Sequence, residues 1–118
     1  MAHGITFKHA LEGIKYAFST QPNFRVHGII ALAVILAGLF FGLSPVEWLI
    51  IIFTFSLVFT TEMINTALES MTDLIEEKNH QSAKIAKDVS AGMVLISALA
   101  AVVVGLVIFI PKLLALSP

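Results

Sequence analysis

The sequence predicts an all-α integral membrane protein: a short amphipathic surface helix followed by three transmembrane helices. Three observations carry that expectation. The 118 residues are 58% hydrophobic and only 13% charged, with a mean hydropathy of +0.94, whereas a soluble domain is typically about 45–50% apolar and about 25% charged. The apolar surplus is gathered into three long stretches. Positive charge is distributed unevenly around those stretches. The length suits one domain at most. The composition excludes a disordered tail and an ordinary soluble enzyme, and the net charge of -1 offers no basic footprint for nucleic acid. No Cys is present, so disulfide frameworks, thiol nucleophiles and thiolate metal sites are excluded. No internal repeat or domain linker interrupts the chain.

The surface helix is expected over about residues 5–20. There Ile5, Phe7, Leu11, Ile14 and Phe18 alternate at helical spacing with Lys8, Glu12 and Lys15, a pattern suited to the plane of a membrane interface. It lacks the long apolar run and small-residue cleavage site of a signal peptide. Gln21-Pro22-Asn23 breaks it from the first span, expected over about 26–43. Ser44-Pro45 supplies the turn to the second span, because proline presets a turn and cannot continue the first helix. The second span is expected over about 46–77 and the third over about 83–111. A spanning helix needs roughly 17–25 residues. The first and third stretches meet that directly; the second does so only if its polar end, from Thr60 onward, is shielded by protein. Lys8, Lys15 and Arg25 precede the first span, and Lys78, Lys84 and Lys87 lie between the second and third, against Lys112 alone on the opposite side. This asymmetry puts the N-terminus and the 78–87 loop in the cytoplasm.

The polar end of the second span carries the chemistry. Glu62, Asn65, Glu69, Asp73 and Glu76 follow one another at intervals of 3, 4, 4 and 3 residues, a stripe roughly 80° wide at helical periodicity. Acids within a membrane are costly and face a protein interior or a watery cavity; Glu62, just after a long apolar run, is the most telling. For Asp73, Glu76 and Glu77 a solvated helix end is an equal alternative. Clustered acids repel unless a cation joins them, and Mg²⁺ takes one or two carboxylates together with substrate phosphates. The next helix opens on Ala83-Lys84-Ile85-Ala86-Lys87-Asp88-Val89-Ser90-Ala91-Gly92. Its small residues admit a close neighbour, so Lys87 and Asp88 can be held against the acidic stripe. Lys87 then either meets an anion such as phosphate or snorkels to the headgroups. His3, His9, His27 and His80 show no metal-ligand spacing, and His27 reads as an interfacial polar residue. Phosphate loops, dinucleotide glycine motifs and zinc-protease motifs are absent from the sequence.

The run Glu62-Met63-Ile64-Asn65-Thr66-Ala67-Leu68-Glu69-Ser70, followed by Asp73, resembles the E-x-x-N-[ST]-A-[IL]-E…D signature of the prokaryotic diacylglycerol kinase family. Ala86-Lys87-Asp88 resembles the family's A-K-D segment, and Asn23-Phe24-Arg25-Val26-His27 its N-F-x-x-H entry. The likeness runs from about Phe7 to Lys112. The N-F-x-x-H entry, Lys78-Asn79-His80 and Ile110-Pro111-Lys112 are more similar to the undecaprenol kinase branch.

The resemblance implies an ATP- and Mg²⁺-dependent lipid kinase in a bacterial cell membrane. It implies a homotrimer with active sites between subunits at the cytoplasmic face. The substrate is a membrane lipid alcohol, undecaprenol first and diacylglycerol second. By the same resemblance, Glu62 is the catalytic base and Glu69 holds the metal on the nucleotide phosphates. Asn65 orients its neighbours, and Lys87 and Asp88 contact the nucleotide. Lys78, Asn79 and His80 form a closing loop, and His9 is a further nucleotide contact. One departure stands out. Gln21 occupies the position where the family carries a Glu as second metal ligand, which keeps a carbonyl oxygen but loses the charge. Two alternatives are a small proton-coupled exporter with Glu62 as carrier acid, and a catalytically weakened scaffold, motivated by Gln21.

Overall fold

The computed structural model describes residues 7–75 and 81–116, and these form four α-helices: α1 (Phe7–Thr20), α2 (Pro22–Phe41), α3 (Pro45–Ile75) and α4 (Gln81–Leu114). Three of them, α2 to α4, are long and apolar enough to cross a membrane. Most of their large apolar side chains point away from the protein, Ile29, Leu39, Phe53, Ile96 and Val107 among them. A water-soluble fold would bury such residues; a lipid-facing one need not.

Each boundary has a local cause. Pro22 opens α2 in the first turn, where its missing N–H is no loss. The break after α1 is therefore the single residue Gln21, and α2 begins four residues before the expected boundary. The end of α2 is set by Gly42, in the left-handed region at φ 68°, where its N–H and that of Leu43 both return to the Gly38 carbonyl at 2.9 and 3.2 Å. Ser44 then caps α3. Glu47 N–H donates to Ser44 Oγ at 3.1 Å and Ser44 N–H donates to Glu47 Oε1 at 3.0 Å, the reciprocal exchange of a capping box. The turn expected from Ser44-Pro45 thus rests on Gly42 before it and Glu47 after it. At the far end, α4 runs through Pro111 to Leu114.

The framework is the antiparallel pair α3–α4. Along it lie Lys112 with Glu47 (3.0 Å), Thr61 Oγ1 with Ser97 Oγ (2.8 Å), Ser90 with Asn65 and Lys87 with Asp73. Between the first two contacts sits the apolar core of Leu43, Ile51 and Ile108, packed by Val34, Trp48, Phe55, Val104 and Phe109. At roughly 1.5 Å per residue, α3 and α4 are longer than the roughly 30 Å hydrocarbon layer. Their charged residues gather mainly at one shared end, the C-terminal half of α3 beside the N-terminal part of α4. Isolated hydroxyls in the apolar zone return to their own helix, as Thr54 does to the Ile50 carbonyl (2.7 Å) and Ser56 to that of Ile52 (2.9 Å), so they need no water. The helix α1 is held by aromatic packing. Phe18 stacks edge-on against Phe24 with centroids 4.6 Å apart, and Phe24 continues to Phe59 at 5.0 Å.

Candidate active site

The polar stripe of α3 forms two tiers. The deeper one is Glu62. Its side chain is buried, and the residue is only 3% exposed. Phe24 and Phe59 wall the helix junction nearby. His27, one turn into α2, brings its Nε2 to 3.3 Å from Glu62 Oε1, yet that oxygen has no hydrogen-bond partner among the described residues. A buried carboxylate oxygen without a donor is uncommon and asks for an explanation. His27 also lines a cavity of about 260 Å³ between α2, α3 and α4, whose walls include Ile30, Val34, Phe55 and Val58.

The shallower tier begins at Asn65, one helical turn on, and reaches Glu69 a turn later. Asn65 Nδ2 donates to Glu69 Oε1 at 3.2 Å, and Ser90 Oγ from α4 donates to Asn65 Oδ1 at 2.7 Å. One turn further, Lys87 Nζ lies 2.6 Å from Asp73 Oδ1, with both side chains substantially exposed. Exposed pairs of this kind are weak, so Lys87 can exchange Asp73 for another anion at little cost. The small residues Ala83, Ala86 and Ser90 bring the two backbones close enough for these contacts.

The structure therefore unites Glu62, Asn65, Glu69 and Lys87 along one helix interface. It does not draw in every expected residue. Asp88 pairs with Lys84 of its own helix at 2.5 Å rather than with the stripe. His9 lies on the exposed side of α1, 3.5 Å from Glu12. The Gln21 amide donates to Thr20 Oγ1 at 3.3 Å, and among the described residues no hydrogen bond joins Gln21 to Glu69. Glu76, Lys78, Asn79 and His80 lie outside the described residues. Two contributors were not foreseen as part of the site, His27 and Ser90. The signal for His27 was its place in the N-F-x-x-H run; for Ser90 it was a lone hydroxyl on the small-residue face.

Among the described residues no three His, Cys, Asp or Glu side chains converge on a metal position. Such a donor set builds no protein cage. It fits a cation that arrives with substrate phosphates and takes one carboxylate from the protein, as Mg²⁺ does.

Comparison with known proteins decides the lineage. The family described as prokaryotic diacylglycerol kinase matches residues 8–109. The chain belongs to the prokaryotic diacylglycerol kinase family. Among its relatives, a protein of Synechocystis sp. named diacylglycerol kinase is 44% identical over 95% of this chain. One of Bacillus subtilis named undecaprenol kinase is 43% identical over 92% of it. A diacylglycerol kinase of Haemophilus influenzae is 31% identical over 76%. The chain spans 65% of the length of the Synechocystis relative and 88% of that of the Bacillus one. The buried acid, the amide–carboxylate pair and the lysine all lie within the span matched by the family.

Proposed function

We propose that this chain is an ATP-dependent lipid kinase, a single membrane kinase domain that phosphorylates a lipid alcohol at the cytoplasmic face of a bacterial cell membrane. Membership in a family of lipid kinases supports the activity class, and nothing in the comparisons supports an exporter. The observation that carries the site reading is Glu62 Oε1, buried and without a hydrogen bond among the described residues, with His27 Nε2 standing 3.3 Å away. A substrate hydroxyl is the donor it lacks. In the reaction Glu62 accepts the hydroxyl proton, the alcohol oxygen forms a bond to the γ-phosphorus, and the bond from that phosphorus to the β–γ bridging oxygen breaks, leaving ADP. The cavity beside His27, apolar except for His27 and Thr54, supports approach of a hydrocarbon-bearing alcohol from the membrane side.

Phosphoryl transfer asks mainly for positioning and charge neutralisation. Lys87 and Asp88 serve the nucleotide in this reading, with Lys78, Asn79, His80 and His9 as further contacts. A divalent ion, Mg²⁺ here, would be held by Glu69, with Gln21 as the weak second position, and would supply charge neutralisation on the phosphates. Undecaprenol is the leading substrate because the undecaprenol kinase of Bacillus matches over most of its own length; diacylglycerol is second. A homotrimer and an interfacial α1 complete the proposal. The trimer is supported by the polar tier around Asp73, Lys87 and Asp88, which one copy leaves exposed, and the interfacial α1 by its exposed Phe7, Leu11 and Phe18. Purified protein given ATP and a panel of lipid alcohols tests the reading. Phosphorylated lipid alcohol is expected; proton-linked flux without ATP turnover would instead favour the exporter.

A further inference from the structure

The hydroxyl of Ser90 lies outside the motif residues, yet it is nearly inaccessible, at 3% exposure. It stands 2.7 Å from Asn65 Oδ1 and 3.1 Å from the Lys87 carbonyl oxygen. A serine in a helix commonly bonds back to its own backbone, and one hydroxyl has one proton to give. The neighbour beyond Asn65 decides which acceptor receives it. Glu69 Oε1 is 3.2 Å from the Asn65 amide, and an ionised carboxylate only accepts. The Asn65 NH₂ must therefore face Glu69, which turns its oxygen toward α4. Ser90 is the donor that meets that oxygen among the described residues. If the amide flipped, its oxygen would face the carboxylate and its NH₂ the serine.

We propose that Ser90 is a positioning residue: its hydroxyl, fixed on α4, locks the orientation of the Asn65 amide, and the amide in turn holds the Glu69 carboxylate in place for a phosphate-bound divalent cation. This role rests on the reading of Glu69 as the metal carboxylate. The role asks for no contact between Ser90 and nucleotide or lipid. It couples the two helices at the point where the metal would bind.

The test reads metal binding rather than turnover. Full-length protein in detergent, saturated with a non-hydrolysable ATP analogue, is titrated with Mn²⁺ and followed by electron paramagnetic resonance. Ser90→Ala should weaken Mn²⁺ binding by about 2- to 10-fold, the net contribution of one hydrogen bond. Ser90→Cys fills the same space with a much weaker donor and should show a similar loss. Combined with Asn65→Ala, Ser90→Ala should add nothing further, because the two act in series. A merely structural serine would instead give additive losses, and additivity overturns the role. So does wild-type Mn²⁺ binding in either Ser90 variant while Glu69→Gln loses it. Wild-type Mn²⁺ binding in Glu69→Gln overturns the metal reading itself, and the Ser90 role with it.

Discussion

In the proposed metal site Glu69 would carry the only charge, with Gln21 standing where the resemblance implies a second acid. One carboxylate plus ATP phosphates suffices for Mg²⁺ when the ion is abundant, because Mg²⁺ keeps several waters and needs few protein ligands. Gln21→Glu should therefore lower the Mg²⁺ concentration for half-maximal activity, with the gain visible mainly at low Mg²⁺. The substitution is compatible with the fold. Gln21 is the N-cap of α2 and makes no side-chain cap bond there, and a carboxylate suits a helix N-terminus. Glu69→Gln should nearly abolish activity. An unchanged midpoint in Gln21→Glu, with activity lost in Glu69→Gln, would remove Gln21 from the metal site and leave Glu69 in it. Among the described residues, the hydrogen bond to Thr20 Oγ1 (3.3 Å) is the only one the Gln21 side chain makes. The Mg²⁺ titration thus asks whether a carboxylate placed there reaches the site.

At the scale of the helices, the best-constrained joint is the turn between α2 and α3. A Cβ added at Gly38 would lie 2.6 Å from the Trp48 ring and 2.9 Å from Leu43 Cδ1, and Leu43 belongs to the apolar core. Gly38→Ala should destabilise the protein by about 1–3 kcal/mol, the usual cost of overfilling a packed site, measured as a lowered thermal midpoint in detergent. Unaltered stability would show that Trp48 can move aside freely. This joint also shows how far the sequence could be read. Helix identity was legible because long apolar runs bounded by Gln21-Pro22 and Ser44-Pro45 permit little else. The polar stripe was legible because its spacing is helical. Gly38 was not, because a glycine inside an apolar helix announces nothing about the ring that will lie on it. His27 and Ser90 were obscured for the same reason. A lone polar side chain on an apolar helix faces either headgroups, its own backbone or a neighbour, and only the packing of α2 and α4 against α3 selects the last. α4 runs three residues past Pro111, although the proline forfeits the hydrogen bond to the Val107 carbonyl.

For the whole molecule, orientation follows from charge, and the antiparallel pair transmits it. If the shared end of α3 and α4 is cytoplasmic, the Glu47–Lys112 pair at the opposite end lies outside. The chain has no Cys, so single-cysteine labelling has no background. A cysteine at Ser82 should react with an impermeant reagent only after the membrane is opened, and one at Ala115 from outside intact cells. The reverse pattern would contradict the positive-inside assignment and move the proposed active site to the other face. In the proposed function the orientation matters because ATP would come from the cytoplasm and the alcohol from within the membrane. The proposed site would join both phases. His27 lines the apolar cavity and stands 3.3 Å from Glu62, while Lys87 and Asp73 lie at the exposed ends of α4 and α3.

The most direct measurement compares wild type and Glu62→Gln for transfer of a labelled γ-phosphoryl group from ATP to undecaprenol and to diacylglycerol, with nucleotide binding measured alongside. Glutamine keeps the size and the hydrogen-bonding reach of the side chain but cannot accept the hydroxyl proton. Wild type should phosphorylate lipid alcohol, undecaprenol faster than diacylglycerol. Glu62→Gln should fall by roughly 10²–10⁴-fold, the range for losing a general base, while nucleotide binding stays close to wild type. Near-normal phosphorylation by Glu62→Gln would contradict the account, because the buried carboxylate would then have no part in the chemistry.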